Sequence, residues 1–367
     1  MMNLQKILLP FFLLAATALS AQPADTVRQE KLLQKSSLIA VPIVFYTPET
    51  RWAGGGAVLY SFRLREQDEQ GRPSQVQLGG AYTQERQVLL YLPFQLFLQN
   101  EAWQAFGELG YYRYVYQFFG LGNDTRREDQ ESYDAVFPRL RLNLLRRVAP
   151  GHYLGLRYWW DDFRISRTEA GGLLAQGDIL GSRGGVISGA GLVWNYEGRD
   201  QIFYPTQGFW TEGELFFNQR ALGSDFNFSR ISLDAAAYFS HSPRRVLALN
   251  AWLVFTQGEV PFQQLAFIGG PRKMRGYFEG RLRDRHLWMA QAEYRLLLPG
   301  RFGAAAFAGL GAVSPELASF FRQGLHYTYG AGLRFRLSKN DHINLRLDVA
   351  GNGLGEFFPY LTVREAF

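Results

Sequence analysis

Apolar and polar residues alternate with a period of two along most of this chain. Over 326–337, Tyr327, Tyr329, Ala331, Leu333, Phe335 and Leu337 share one face, while His326, Thr328, Gly330, Gly332, Arg334 and Arg336 share the other. Over 342–349, Ile343, Leu345, Leu347 and Val349 oppose His342, Asn344, Arg346 and Asp348. Leu154, Leu156, Tyr158 and Trp160 oppose Tyr153, Gly155, Arg157, Trp159 and Asp161, and Trp288, Ala290, Ala292, Tyr294, Leu296 and Leu298 oppose Gln291, Glu293 and Arg295. Successive side chains point to opposite faces of a strand, so each segment predicts a strand with one apolar and one polar face.

Sixteen such strands are expected, near 38–46, 51–64, 73–83, 86–98, 101–116, 131–147, 151–164, 184–197, 208–219, 226–240, 244–257, 285–298, 301–313, 325–337, 341–351 and 357–367. Ordinary strands run to about 5–6 residues, and a membrane-crossing strand needs about 9–11. Many polar faces carry Arg, Asp or Glu in mid-strand, which a wet lumen accommodates and a dry sandwich core does not. The pattern therefore predicts an all-β fold, a transmembrane antiparallel β-barrel of about sixteen strands. Long connections, Ser166–Gly184 and Gly258–Asp284, are expected outside the cell, and tight turns such as Pro150-Gly151 and Ser242-Pro243 in the periplasm. Aromatics near strand ends (Tyr111, Tyr112, Tyr114, Tyr116, Trp159, Trp160, Phe357, Phe358, Tyr360) read as interfacial girdles.

The first residues read as an address. Lys6 precedes an apolar run from Ile7 to Leu19, and small residues follow, so 1–21 is expected to be a cleaved signal peptide. Cleavage falls after Ala21 or after Ala18. The run is shorter than the roughly 20 residues that span a bilayer, and no other stretch comes near that length. The expected organisation is 1–21 signal peptide, 22–37 a short periplasmic segment, and 38–367 the barrel in the outer membrane of a Gram-negative bacterium. The terminal Phe367 fits the aromatic signal that barrel-assembly machinery reads.

Composition narrows the chemistry. Cysteine is absent, so no disulfide, thiolate metal site or lipidated Cys is available. The formal net charge is +6, which suits anionic partners. For an exported barrel those are outer-membrane lipids and lipopolysaccharide phosphates outside, or luminal carboxylates inside, and not nucleic acid. The five histidines show no metal-ligand spacing, so no metal site is expected. No Gly-x-Ser-x-Gly elbow, P-loop or dinucleotide fingerprint occurs, so neither an enzyme nor a cofactor is expected.

The connection over 258–284 mixes apolar residues, glycines and arginines, unlike a solvent-facing loop, and loops of such length are usually functional. Three stretches carry a family resemblance: Arg199-Asp200 with Pro205-Thr206-Gln207-Gly208, Gly269-Gly270 with Arg275-Gly276-Tyr277, and Glu293-Tyr294-Arg295 with Phe307 to Gly311. The chain resembles the barrel domain of the BamA/TamA outer-membrane assembly superfamily, the bacterial surface-antigen barrels. The match is densest over 190–367. The resemblance implies a lid loop folded into the lumen, with its Arg on acidic groups of the inner wall. Strand parity puts Glu293 and Asp348 on the luminal face, making them the candidate partners of Arg275. The family's Phe-x-Asp-x-Gly strand has Gly309 in place of Asp here, which moves the pairing towards those two. The family's assembly factors carry POTRA modules before the barrel, and 22–37 is too short for one.

Function then follows by resemblance. The expected role is membrane-protein insertion or translocation through a weak seam between first and last strands, which opens laterally and thins the bilayer. Here the seam would be Leu38–Tyr46 against Phe357–Phe367, with Pro42, Pro48 and Pro359 weakening its ladder. Expected partners are unfolded outer-membrane protein clients or a periplasmic partner protein, with homo-oligomers left open. A passive pore, and an anchor barrel pairing with another chain, are the alternatives.

Overall fold

The computed structural model describes residues 36–63, 72–242, 244–338 and 343–367. The expected signal peptide, residues 22–35 of the segment after it, Pro243 and His342 lie outside the described residues. Among the described residues, eighteen strands follow in chain order. The first eleven are β1 (Ser36–Thr47), β2 (Arg51–Phe62), β3 (Ser74–Thr83), β4 (Val88–Leu98), β5 (Trp103–Phe118), β6 (Glu131–Ala149), β7 (His152–Thr168), β8 (Gly185–Glu197), β9 (Gly208–Asn218), β10 (Phe228–Ser242) and β11 (Arg245–Gly258). Two short strands, β12 (Ala266–Ile268) and β13 (Leu282–Asp284), pair with each other inside the next connection. The rest are β14 (His286–Leu297), β15 (Phe302–Ser314), β16 (His326–Ser338), β17 (Ile343–Asn352) and β18 (Phe357–Val363).

All but β12 and β13 form one closed antiparallel barrel of sixteen strands, each paired with its neighbours in chain order. The sixteen segments expected from the alternation correspond to these sixteen strands. Closure pairs most backbone groups within the sheet, as lipid embedding demands. The period-two pattern sorts the faces. Leu347 and Val349 are half exposed on the outside, while Arg346 and Asp348, which alternate with them, are buried within. Leu154 and Leu156 face out, and Arg157, Trp159 and Asp161 face in.

Two expectations need correction. Only part of the aromatic set faces lipid. Tyr111 and Phe357 are exposed, but Tyr112, Trp159 and Tyr360 are buried against the lumen. Tyr112 and Tyr114 sit four and two residues before Tyr116, so parity keeps all three on one face, and Tyr116 stacks on the buried Tyr133. The last strand is also shorter than expected, ending at Val363 rather than Phe367. Arg364 takes a left-handed φ of 69° and donates its backbone N–H to Asn344 O at 2.8 Å. That kink turns Glu365, Ala366 and Phe367 into the lumen, where Phe367 packs against Ala236, Tyr238 and Ala248.

Closure is uneven. β1 is in register with β2 along its whole length, from Ser36↔Phe62 to Thr47↔Arg51. Across the other side β1 meets β18 at a single pair, Tyr46↔Leu361. Pro42 lies in β1 and Pro359 in β18, where neither can donate to a ladder.

Candidate functional site

The segment between β11 and β14 is packed inside the barrel. Val260 to Ile268, Met274, Tyr277 and Leu282 are buried, and several of them join Trp252, Val254, Leu287, Met289 and Val313 in one apolar cluster. β12 and β13 pin its two limbs together, and Gly280 N donates to Ile268 O at 3.1 Å. Its tip, over 269–277, is held by the wall. Met274 N donates to Gln291 Oε1 at 3.2 Å, Gly276 N to Tyr360 Oη at 3.0 Å, and Asn352 Nδ2 to Gly276 O at 2.7 Å. Tyr277 Oη donates to Tyr327 O at 3.1 Å, and Thr328 Oγ1 donates to Arg275 O. Lys273 Nζ lies 2.8 Å from Asp234 Oδ1 and 2.9 Å from Asn250 Oδ1.

Glycine is needed at the tip for two reasons. Gly269 and Gly276 have φ of 115° and 109°, and a Cβ on Gly276 would come within 2.6 Å of Gly351 O. Met274, with φ of 53°, takes the left-handed region without a glycine's freedom, so contacts with the wall must hold it there. Gly276→Ala should therefore unseat the tip. The expected result is faster proteolysis within 258–285 of a barrel that still shows its full strand signal by circular dichroism. Wild-type proteolysis of the variant would mean that the tip's backbone is free to adapt.

Arg275 projects from this tip into a nest of carboxylates. Its Nη2 is 2.6 Å from Glu293 Oε2 on β14, and its Nη1 is 2.5 Å from Asp348 Oδ2 on β17. All three side chains are essentially fully buried. The guanidinium also lies 3.5 Å from the Phe307 ring centroid on β15, a cation–π contact that gains strength where water is excluded. Gly309 faces inward on the same strand, and a Cβ there would already sit 3.1 Å from Thr328 Cγ2 and 3.2 Å from Gln291 Cβ. That position holds little room for a third carboxylate.

The cluster is larger than the three residues expected from the sequence. Arg295 Nε is 2.7 Å from Glu293 Oε1. Arg334 reaches Asp348 Oδ1 at 2.6 Å and Glu365 Oε2 at 2.8 Å, and Arg346 Nε lies 3.3 Å from Asp348 Oδ2. Four guanidiniums thus share three carboxylates. An ionised group this deep persists only when paired and hydrogen-bonded, and the fork of an Arg suits bridging two carboxylates. Arg295, Arg334 and Arg346 were legible as polar-face residues on their strands. Glu365 was not, because it belongs to the tail beyond the kink at Arg364.

The expected turn residues form a separate structure at the short-turn end. Asp200 caps the β8–β9 connection, accepting from Gln201 N and Thr206 N at 2.9 Å each, from Thr206 Oγ1 at 2.5 Å and from Gln207 N at 3.2 Å. Partial burial opposes its charge, but these donors prevail and hold the carboxyl below its ordinary range. Arg199 pairs with Glu197 and lies over the Trp210 ring, and Gly208 has φ of 100°. The turn dips into the barrel, where Arg295 Nη1 comes 3.5 Å from Pro205 O and its Nη2 donates to Phe367 O at 2.8 Å. Arg295 therefore links the Arg275 nest to both the turn and the tail. Phe367 contacts the lumen at this end and takes no part in the seam ladder.

A closed sixteen-strand barrel, a buried loop carrying Arg-Gly-Tyr between β11 and β14, and an Asp-capped β8–β9 turn are thus combined in one chain. The family model described as the Omp85 superfamily domain matches residues 74–350. The chain belongs to the Omp85 superfamily. Among solved structures, BamA from Haemophilus ducreyi lacking POTRA domains 1–3 shares 16% identity and a TM-score of 0.62, over 90% of this chain and 70% of that one. CdiB from Escherichia coli shares 11% identity and a TM-score of 0.60, over 94% and 63%. CdiB from Acinetobacter baumannii shares 13% identity and a TM-score of 0.57, over 90% and 60%. At these identities the likeness is one of fold. The chain spans less than two thirds of either CdiB. No curated protein matches the sequence. This Omp85 barrel has no group of three or more His, Asp or Glu placed to hold a metal among its described residues.

Proposed function

We propose that this Omp85 barrel inserts or translocates proteins at the outer membrane through its β1–β18 seam, with the loop over 259–285 as a lid. The observation that carries the reading is the single Tyr46↔Leu361 pair where β1 has a full ladder on its other side. Unpaired N–H and C=O groups are costly in hydrocarbon, and an open edge is a template for another strand. Such a seam favours pairing with an incoming strand over facing lipid.

The loop touches both sides of the seam. Gly276 N donates to Tyr360 Oη of β18, and Glu279 N donates at 2.9 Å to Glu49 Oε1 in the turn that follows β1. In this reading Arg275, bound to Glu293 and Asp348, is the clasp that seats the lid. Unfolded outer-membrane proteins are the clients, Phe367 serves the chain's own assembly, and export uses the signal at 1–21.

The test places the purified chain in liposomes and times the folding of a urea-unfolded client barrel, with a sixteen-stranded porin as control. Acceleration over the porin supports insertion. Equal rates would set insertion aside in favour of a pore or an anchor, and conductance would separate those two.

A further inference from the structure

Most cations of the lumen have carboxylate partners, but two at the short-turn end do not. Lys273 is taken by Asp234, Arg334 by Asp348 and Glu365, and Arg295 by Glu293. Neither Arg272, on the inner loop, nor Arg364, at the kink after β18, has a carboxylate within ion-pair distance among the described residues. Arg364 lies over the Phe203 ring at 4.0 Å, and its Nε is buried without a hydrogen-bond partner. Both side chains line one cavity of about 230 Å³, with Phe203, Trp210 and Tyr238 on its walls. Arg272 also lines a neighbouring cavity with Arg346, whose buried Nη1 is likewise without a partner. The carboxylates on its wall are engaged: Asp234 accepts from Lys273 and Asn250 at 2.8 Å each, and Glu365 from Arg334 and from Asn344 at 2.9 Å, while the Phe367 carbonyl accepts from Arg295.

We infer that this cavity binds an oxyanion of the phosphate class between Arg272 and Arg364. A guanidinium cannot relieve its burial by losing a proton at ordinary pH, so it needs an anion or water. Its planar fork matches phosphate oxygens. Two unpaired forks on one chamber make a positive locus, and burial together with the Arg272 charge lowers the pKa of the Arg364 guanidinium. A water molecule occupies about 30 Å³ of liquid, so the chamber has room for a polyatomic anion with its hydration. The anion would join Arg272 of the inner loop to Arg364 of the tail. Free phosphate and the phosphate of a lipid share this chemistry.

The experiment uses the purified full chain in nonionic detergent, in buffer free of phosphate and sulfate. Inorganic phosphate is titrated by calorimetry, with chloride at matched ionic strength, and a second arm uses phosphatidic acid against phosphatidylcholine in mixed micelles. Saturable binding of phosphate or phosphatidic acid, absent with chloride and phosphatidylcholine, is expected, and the arm that saturates identifies the source. Arg272→Gln and Arg364→Gln should each weaken it at least about tenfold, equivalent to about 1.4 kcal/mol. Arg322→Gln, in an exposed loop, should leave it unchanged. Should either variant fail to fold, phenylglyoxal modification of the wild type serves instead. Phosphate or phosphatidic acid should then protect Arg272 and Arg364, as mapped by mass spectrometry. A response equal to that of chloride, unaltered binding in both variants, or no protection would overturn the site and leave the two arginines hydrated.

Discussion

Arg275→Ala should loosen the inner loop and weaken the barrel by about 3–5 kcal/mol, the usual cost of removing one partner from a buried ion network. The substitution strips Glu293 Oε2 and Asp348 Oδ2 of their shortest contacts and empties the space over Phe307. Arg334, Arg295 and Arg346 still reach those carboxylates, so the barrel should persist while the loop tip loses its anchor. The expected signs are a lower thermal midpoint, cleavage of the segment 258–285 by added protease, and higher ion conductance in planar bilayers. Arg275→Lys should give an intermediate result, because an ammonium is a point charge without the fork that spans two carboxylates. Variants that match the wild type in protease resistance and conductance would remove the clasp from the account.

How much of this could be read in the sequence depends on what carries each signal. Strand positions were legible because alternation is local: Leu347 and Val349 against Arg346 and Asp348 need only their order to be sorted. The same parity put Glu293 and Asp348 on the inner wall and, applied consistently, would have moved Tyr112 and Tyr360 off the lipid face. Placing aromatics by clustering ignored that rule. What parity cannot give is which luminal groups meet. Arg275 is 73 residues from Asp348 along the chain, and only closure brings them together. The tail was illegible for a different reason. Parity breaks at Glu365, which a continued strand would put on the outer face with Leu361 and Val363, but where the chain then goes is set by contacts made elsewhere, Glu365 on Arg334 and Phe367 on Arg295. A propensity argument about the tail alone has no access to those partners.

The second large effect is expected at the seam. Tyr46 and Leu361 are direct cross-strand partners, and such residues in antiparallel sheets have Cα atoms about 4.5–5.5 Å apart, within the range a disulfide bridges. The chain has no cysteine, so a Tyr46→Cys, Leu361→Cys protein carries only the intended pair. Oxidised, it should lose its acceleration of client folding and fall to the rate of the porin control; reductant should restore it. A second pair, Phe45→Cys with Ala53→Cys, joins β1 to β2 where the ladder is complete, and oxidation there should change nothing. If the locked seam folds clients as fast as the reduced one, insertion does not pass through it, and the scant pairing of β1 with β18 would have to be explained by the prolines and the inward tail alone. If locking abolishes the activity while the β1–β2 bond spares it, the one-pair contact is the working part. The inner loop then has a defined task, since Tyr360 and Glu49 tie it to the two edges that must separate.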